Sequence, residues 1–375
     1  MNLEIFQLER MQSEYEHVVK YNLSESGVEP LRIRDLLQSD ELHAKFLNLQ
    51  LVYAQTNGTI PLREAIAGAY AGIGAGHILA TNGGAEANFL VSWWLSHENP
   101  DSRELVFMVP NYMQIGGIWK NLGGQIRQFP LRMREGEWVP DIEELKSVVS
   151  KKTAAIAICN PNNPTGAILD EEDLKAIVDI AGDNNAWVVS DEIYRGAEIH
   201  DERAPSMQGR YEKVLITSSL SKAYGLPGLR LGWVLCPTEE VAHQLWTYSD
   251  YTSICPSTPS DWLATLALDP KFKNDIEGRA RKIIRENWEI VQEWLDSHGS
   301  LFEYVPPKAA AICFIKQNTG LTSVELMKRI MDEKSVLIMP GEYFDMPGHL
   351  RIGFGSEPEY LRQSLSLISE LLNDL

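Results

Sequence analysis

The segment Ile216–Gly232 reads ITSSLSKAYGLPGLRLG and holds one lysine, Lys222, among hydroxyl and glycine residues. An apolar run, Lys213–Thr217, leads into it, and Arg230 lies in a second apolar run a few positions later. The small residues after the lysine let the backbone pass close to a ligand. A lysine amine that is removed from water can act as a nucleophile toward aldehydes. The segment therefore predicts a reactive lysine at a ligand site.

The residues around Lys222 also indicate what kind of ligand this is. Hydroxyl groups and a guanidinium, here Ser219, Ser221 and Arg230, are the donors that a phosphate group needs. A lysine that reacts with an aldehyde beside a phosphate site indicates a phosphorylated aldehyde. In proteins that compound is pyridoxal phosphate, which we predict as the cofactor.

Polar motifs follow several short apolar runs along the chain. Asn160–Gly166 (NPNNPTG) follows TAAIAIC, Asp191–Tyr194 (DEIY) follows AWVVS, and Lys222 follows KVLIT. Apolar runs of this length, alternating with helical stretches, predict a mostly parallel sheet with helices on both faces. The carboxyl ends of parallel strands meet at one edge of a sheet, so we expect these motifs to lie close together.

A glycine turn forms a further candidate site. His77–Thr81 is typical of a short strand, Asn82–Ala85 (NGGA) follows it, and the sequence becomes helical from Glu86. A strand, a glycine turn and a helix N-terminus together present free N–H groups to an anion. The spacing matches neither the dinucleotide motif GxGxxG nor the P-loop. The glycine turn therefore adds the backbone N–H groups around Gly84 and Ala85 to the predicted phosphate site.

The length of 375 residues favours a large domain with a smaller one. We predict the α/β class, with a mostly parallel seven-stranded sheet in the large domain. The smaller α+β domain would combine the N-terminal segment and the C-terminal third. The predicted boundaries are 1–40 for the arm and substrate-covering loop, 41–275 for the cofactor-binding domain, and 276–375 for the small C-terminal domain.

Composition excludes several classes of protein. The chain carries 34 basic and 52 acidic residues, a formal net charge of −18. Such a charge argues against binding of nucleic acid or an anionic membrane. Four widely spaced cysteines without a CxxC pattern predict reduced thiols, no metal site and a cytoplasmic protein. The first 21 residues are charged throughout, unlike a secretory signal, and no apolar run approaches the length of a membrane span.

Taken together, the motifs resemble those of fold-type I pyridoxal-phosphate enzymes of the class I/II aminotransferase family, which includes aspartate aminotransferases. The resemblance extends from about Asn22 to the C-terminal helix. It rests on motifs that occur in the family's order: NPNNPTG, SDEIY, SLSK followed by GLRLG, and a late PG…F…RIGFG.

The resemblance implies catalytic roles for several of these residues. Lys222 would form the aldimine with the cofactor and would shuttle a proton from the substrate Cα. Asp191 would bind the pyridine nitrogen, where a carboxylate keeps the ring protonated. Asn163 and Tyr194 would hydrogen-bond the cofactor's phenolic oxygen, and Tyr112 would stack on the ring.

The resemblance also implies which residues bind the phosphate and the substrate. The phosphate would be held by side chains and backbone amides: Ser219, Ser221, Arg230, Gly84, Ala85 and, from a neighbouring subunit, Tyr53. That last contact implies a homodimer with shared sites. Arg351 would clamp the substrate α-carboxylate, with Asn163 beside it and Gly27 in the segment that closes over the substrate.

Two departures from the family pattern leave the reaction open. Glu25, in NLSESGVEP, lies where amino-transferring relatives have small residues, and it could meet a basic side chain such as that of arginine. The loop weakly resembles that of arginine-cyclising relatives, although a solvated glutamate is the simpler interpretation. In addition, PKAAAICF carries alanines where transaminases commonly have a glycine pair.

The leading hypothesis is an aminotransferase that moves the α-amino group of an amino acid to a 2-oxo acid. The alternative is a lyase, cyclase or oxidase that uses the same cofactor on an amino acid in specialised biosynthesis. A ligand-sensing regulator would need a basic DNA-binding module, and the residues before the substrate loop are too few and too acidic for one.

Overall fold

The structure, a computed structural model, describes residues 3–98, 102–200 and 202–375. The helices are α1 (Gln7–Tyr15), α2 (Ile33–Leu36), α3 (Asp40–Leu47), α4 (Ile60–Ala67), α5 (Gly84–Glu98), α6 (Gln114–Asn121), α7 (Ile142–Val148), α8 (Glu171–Asn184), α9 (Glu239–Ser249), α10 (Thr258–Leu268), α11 (Pro270–Ser297), α12 (Ser323–Lys334) and α13 (Pro358–Leu372). The strands are β1 (Tyr21–Asn22), β2 (Ile78–Thr81), β3 (Glu104–Val109), β4 (Gln125–Arg134), β5 (Glu137–Pro140), β6 (Thr153–Cys159), β7 (Trp187–Asp191), β8 (Val214–Ser219), β9 (Gly232–Leu235), β10 (Phe302–Tyr304), β11 (Ile312–Gln317), β12 (Val336–Leu337), β13 (Met339–Pro340) and β14 (His349–Gly353).

The large sheet has eight strands in the order β2-β9-β8-β7-β6-β3-β4-β5. Strands β9 and β5 run antiparallel to their neighbours, and the other six share one direction. This arrangement confirms the predicted α/β class. Seven strands were predicted, and the additional one is β5. It folds back on β4 through Glu135 and Gly136. Both turn residues have positive φ, 52° and 81°, as a tight two-residue hairpin requires.

Apolar side chains on the central strands alternate between two core layers. In β6, Ile156 and Ile158 belong to one buried cluster, whereas Ala155 and Ala157 belong to another. The second cluster includes residues of α5, α6 and α9, and the first includes residues of α4, α8 and α11. Because both faces are covered, the strand ends remain as the place where polar motifs can meet a ligand.

A four-stranded antiparallel sheet, in the order β10-β11-β14-β13, forms from the C-terminal part of the chain. The N-terminal segment joins this part through a short parallel pairing of β1 with β12. Downstream of β1, the loop passes so close to β14 that a Cβ atom at Gly353 would collide with the Glu25 carbonyl oxygen. Gly355 makes the same close approach to the Gly27 carbonyl. The glycines of the RIGFG motif therefore allow residues 23–27 to lie on β14.

The predicted domain boundaries stay a prediction. The one at 275/276 falls within α11, a continuous helix of 28 residues. Across the described ranges, no helix combines the length and apolar composition that a membrane crossing requires.

Candidate active site

A cavity of about 330 Å³ opens at the carboxyl ends of the parallel strands. Most of the residues that the sequence assigned to the site line it: Glu25, Gly84, Ala85, Tyr112, Asn163, Asp191, Tyr194, Ser221, Lys222, Arg230 and Arg351. They come from separate parts of the chain, which the sheet topology brings together. The roles assigned to them remain predictions.

Lys222 lies just beyond the end of β8, with its side chain mostly buried. Its Nζ atom is 3.6 Å from Oε2 of Glu25. Gly27 packs beside the same lysine, since a Cβ atom built there would be 3.5 Å from Lys222 Cδ. The Lys222 ammonium lowers the pKa of the Glu25 carboxyl, although about half of that side chain is accessible to solvent. The lysine is therefore paired with a carboxylate from the N-terminal loop.

Asp191 is the last residue of β7 and is buried. Burial raises the pKa of its carboxyl to about 6. Its Oδ1 accepts from the Ile193 backbone N–H at 3.1 Å, and its Oδ2 accepts from Asn88 Nδ2 at 3.3 Å. Asn88 is held in turn by Thr217, whose hydroxyl donates to Asn88 Oδ1 at 2.7 Å. A cationic N–H donor bound beside this buried carboxyl would stabilise its anionic form, because an opposite charge favours the ionised state.

A dense group of donors surrounds the Gly83-Gly84 turn, where α5 begins. Gly83 has a φ of +85°, and a Cβ atom there would come within 2.6 Å of Arg230 Nη2. Arg230 itself adopts a left-handed backbone conformation, with φ 49°, and its Nη1 donates to the Pro227 carbonyl at 2.9 Å. The guanidinium therefore lies directly over the turn. With the helix N-terminus it forms a pocket of positive potential suited to a phosphate.

Asn163 and Tyr194 both line the cavity beside the substrate-covering loop. The Tyr194 hydroxyl donates to Ser26 Oγ at 2.9 Å, and burial raises the pKa of this phenol. Asn163 Oδ1 accepts from Arg351 Nη1 at 2.9 Å. Loop residues 24–27 thus contact Tyr194 directly through Ser26 and are linked to Asn163 through Arg351, which also donates to the Ser24 carbonyl oxygen.

Arg351 is buried, with an exposed fraction of 1%, in the apolar strand β14. Besides Asn163, its guanidinium donates to the Ser24 carbonyl oxygen and lies 4.9 Å from the centre of the Phe344 ring. Its Nε has no hydrogen-bond partner. Among the described residues, no carboxylate lies within ion-pair distance of it, so it is not part of a structural ion pair. A buried guanidinium with a free donor at a cavity wall is suited to a carboxylate ligand.

Helix α1 closes one side of the cavity. The Tyr112 hydroxyl donates to Glu9 Oε1 on this helix at 2.6 Å, and the Tyr112 ring makes an edge contact with Phe6 at 5.0 Å. Burial and the Glu9 carboxylate together raise the pKa of Tyr112. The aromatic ring predicted to stack on the cofactor is thus held by the N-terminal segment.

Three predicted residues lie outside the cavity wall. Ser219 is buried behind the glycine turn, where its Oγ accepts from the Ser221 backbone N–H at 3.1 Å. Gly27 lines an adjoining cavity on the other side of Lys222. Tyr53 is 83% exposed and contributes nothing to this chain's own cavity.

Several residues that line the cavity or hold its walls were not predicted from the sequence. Asn88 was predictable, because it lies one helical turn after Gly84 and faces the same side of α5. Ser26, Gln114 and the polar face of α1 carried no comparable local signal. Their positions depend on how distant segments pack.

The residues present fit pyridoxal phosphate. Gly83 leaves no room for a side chain beneath Arg230, as expected where a backbone turn approaches a phosphate. The buried Asp191 suits a protonated ring nitrogen, and Lys222 lines the same cavity. The described residues include no group of three or more metal-ligating side chains.

Comparisons with known proteins agree with this geometry. The family model described as "Aminotransferase class I and II" matches residues 43–368. Capreomycidine synthase from Streptomyces vinaceus is 28% identical over 94% of this chain and 90% of its own length. Aspartate aminotransferase from Pyrococcus abyssi is 28% identical over 78% of this chain and 75% of its own.

Two solved structures are also similar to this chain in fold. A PLP-dependent aminotransferase from Streptococcus suis 89-1591 superposes with a TM-score of 0.92 at 31% identity, covering 100% of this chain and 99% of that one. The PLP-dependent cyclase OrfR superposes with a TM-score of 0.89 at 25% identity, covering 100% and 98%. At the level of the family, these matches confirm the prediction of a pyridoxal-phosphate-dependent transferase. The chain belongs to the aminotransferase class I and II family.

Proposed function

We propose that this protein is an aminotransferase that moves the α-amino group of an amino acid to a 2-oxo acid. The observation that carries the proposal is the meeting of three groups in one cavity. Lys222 supplies an amine, Asp191 a buried carboxylate, and Arg351 a buried guanidinium with a free donor. Lys222 would bind the cofactor aldehyde, Asp191 would bind the ring nitrogen, and Arg351 would bind the substrate carboxylate.

The residues around the cavity would hold the cofactor at several points. Its phosphate would be bound by Ser219, Ser221, Arg230 and the amides of Gly84 and Ala85. Tyr112 would cover its ring, Asn163 and Tyr194 would bind the phenolic oxygen, and Asp191 would bind the ring nitrogen. When bound, pyridoxal phosphate supplies the electron sink that makes the substrate Cα–H bond acidic.

The protein's own contribution is to position the substrate and to move protons. Arg351 binds the α-carboxylate and thereby fixes the orientation of the Cα–H bond. Lys222 Nζ, which lines the cavity, accepts the proton from Cα. Helix α1 and loop 24–27 cover the cavity and limit the access of water to it.

The experiment that tests this function follows the α-nitrogen. The purified holoenzyme is incubated with ¹⁵N-labelled amino acids and unlabelled 2-oxo acids, and the acceptors are analysed by mass spectrometry. We expect the label in an amino acid made from the acceptor, with a keto acid left from the donor. If product forms but the acceptor stays unlabelled across the panel, the aminotransferase proposal is wrong.

A second candidate function is cyclisation of an amino acid. The names of two similar proteins, a capreomycidine synthase and the cyclase OrfR, favour it. The Glu25 carboxylate beside Lys222 supports it as well, because a charged group there could orient a reactive side chain. Lyase or oxidase chemistry would use the same site. In the labelling experiment, a cyclase would yield a product that retains its α-nitrogen.

The assembly that we infer is a homodimer with shared sites. The segment that contains Tyr53 exposes several large apolar side chains, as an unpartnered interface would: Leu47, Leu51, Val52 and Tyr53. Tyr53 of the partner subunit would then complete the phosphate site. If so, mixing Tyr53→Ala subunits with Lys222→Ala subunits restores activity, since one site of the hybrid is intact. Absence of complementation by a hybrid that forms would rule out a shared site.

We also propose that the protein is cytoplasmic and that its domains follow the division at residues 40 and 275. Three of its cysteines are buried free thiols, and Cys255 is a partly accessible one. Free thiols suit a reducing compartment.

A further inference from the structure

Helix α1 presents a polar face to the cavity. Leu8 and Met11 anchor the helix in the core, and Gln12 Nε2 donates to the Ser24 carbonyl at 3.2 Å. The side chains of Glu9 and Glu16, on the same helix, then line the cavity wall. Helix α1 is therefore a wall of the substrate site as well as a cover.

Three carboxylates line this cavity: Glu9, Glu16 and Glu25. Burial and the proximity of Glu25 raise the pKa of Glu16, so the anions repel one another. The cation within ion-pair distance of Glu25 is Lys222, whose amine the cofactor would occupy. Glu16 lies 3.3 Å from Nε2 of His17, an exposed imidazole that does not line the cavity. With the cofactor in place, no lysine or arginine among the described residues that line the cavity would therefore pair with these carboxylates.

The positive groups of the cavity already have partners in the proposed function. Among the described residues that line it, the lysines and arginines are Lys222, Arg230 and Arg351. These would bind the cofactor aldehyde, its phosphate and the substrate α-carboxylate. No cation in this set remains for a second substrate carboxylate, so the wall disfavours aspartate and glutamate side chains.

A separate observation, made at Arg351, also indicates that this cavity binds a ligand. Arg351 lines the cavity, is 1% exposed, and has one buried donor, Nε, without a hydrogen-bond partner. A carboxylate bound there fixes one end of an α-amino acid. The other end must then extend along the remaining wall, much of which α1 and loop 24–27 form.

We propose that Glu9, Glu16 and Glu25 bind the side chain of the substrate and select an amino acid that carries a guanidinium or ammonium group. The proposal rests on the proposed function, because it assumes that Arg351 holds the α-carboxylate. Carboxylates bind such cations by hydrogen bonds between two charged groups, and a neutral side chain of equal size would lack the positive charge.

The first test compares L-arginine with L-citrulline, which has nearly the same shape but no charge. In the holoenzyme, the rate at which the bound cofactor's absorbance changes is measured against amino acid concentration. We expect kcat/KM for L-arginine to exceed that for L-citrulline by about tenfold to a hundredfold, the range of one or two charge-assisted hydrogen bonds. L-Lysine and L-norleucine form a second matched pair.

The second test asks whether the three carboxylates cause the preference. Glu16→Gln and Glu25→Gln should each reduce the arginine-to-citrulline ratio by about fivefold or more, chiefly through KM. Glu14→Gln is the matched control: Glu14 is on the same helix, is exposed and does not line the cavity. It should leave the ratio unchanged.

Binding is measured separately from turnover, by calorimetry on cofactor-loaded Lys222→Ala with the same amino acids. Preference for the cationic member of each pair supports the proposal even if no amino transfer is found, in which case only the proposed function fails. Amino transfer with equal use of both members overturns the proposal and leaves the function standing. The proposal is also overturned if Glu16→Gln and Glu25→Gln both behave like Glu14→Gln.

Discussion

Arg351 Nη1 donates a 2.9 Å hydrogen bond to Asn163 Oδ1, although 188 residues separate them in sequence. The bond links β14 of the C-terminal sheet to the loop after β6 of the large sheet. Ser24, from the N-terminal segment, accepts from the same guanidinium. Three distant parts of the chain thus meet at one buried arginine, and the substrate carboxylate site depends on their packing.

Two replacements of Arg351 distinguish the contribution of its charge to activity from the contribution of its paired donors. In Arg351→Lys the charge remains, but the paired donors are lost, whereas Arg351→Ala removes both. We expect kcat/KM to fall roughly thirtyfold or more for Arg351→Ala, since loss of a buried charged hydrogen-bonding partner costs about 2–5 kcal/mol. Steady-state kinetics with the best donor should show an intermediate loss for Arg351→Lys. Unchanged kinetics in Arg351→Ala would identify a purely structural arginine.

Lys222→Ala should abolish covalent attachment of the cofactor while leaving the phosphate site in place. Without a proton acceptor at this position we expect activity to fall by about 10²–10⁴-fold, the range found for general acid–base groups. Absorbance of the bound cofactor and mass spectrometry after borohydride reduction report the attachment. Lys328→Ala, at an exposed position on α12, is the control and should match the wild type in both.

Gly83→Ala tests whether the glycine turn is shaped for a phosphate. A Cβ atom at Gly83 would come within 2.6 Å of Arg230 Nη2 and would displace the guanidinium. Gly123 has nearly the same φ, +83° against +85°, but open space around it. Both alanine variants should lose about 1–2 kcal/mol of folding free energy from the left-handed backbone.

Only Gly83→Ala should also raise the cofactor's dissociation constant, by about tenfold or more, because Arg230 supplies charged hydrogen bonds. Chemical denaturation measures the loss of folding free energy. Fluorescence titration of the apoprotein with pyridoxal phosphate measures the cofactor's dissociation constant. Equal cofactor affinity in the two variants would contradict a phosphate site at this turn.

The pKa of Asp191 predicts a pH dependence for the apoprotein. Burial raises this pKa from 3.8 to about 6, so the folded state binds a proton more tightly than the unfolded state does. The stabilisation is complete below pH 3.8 and is lost as the pH rises through 6. A shift of this size corresponds to about 3 kcal/mol.

Asp191→Asn is the matched variant, because it keeps the shape and does not titrate. Urea denaturation at several pH values between 4 and 7 gives the free energies of unfolding of both proteins. Relative to Asp191→Asn, the wild-type apoprotein should lose stability across this range. Parallel pH profiles would show that Asp191 is not desolvated.

Much of the cofactor site was predictable because its signals are local. Apolar runs such as Thr153–Cys159 define strands, and the turns that follow them carry Asn163, Asp191 and Lys222. In a parallel sheet such turns share one edge whatever the details of packing. The hairpin strand β5 was missed, because its two-residue turn of Glu135 and Gly136 lacks the usual Asn-Gly or Asp-Gly signal.

The sequence by itself determined the family, the fold class and the cofactor, since each depends on short motifs in a fixed order. The tertiary structure alone placed Glu9 and Glu16 over the cavity and left Tyr53 facing away from it. The physical reason is that these positions depend on the docking of helix α1 against Tyr112 and of loop 24–27 against β14. That docking is set by packing between residues hundreds of positions apart, for which no local periodicity exists.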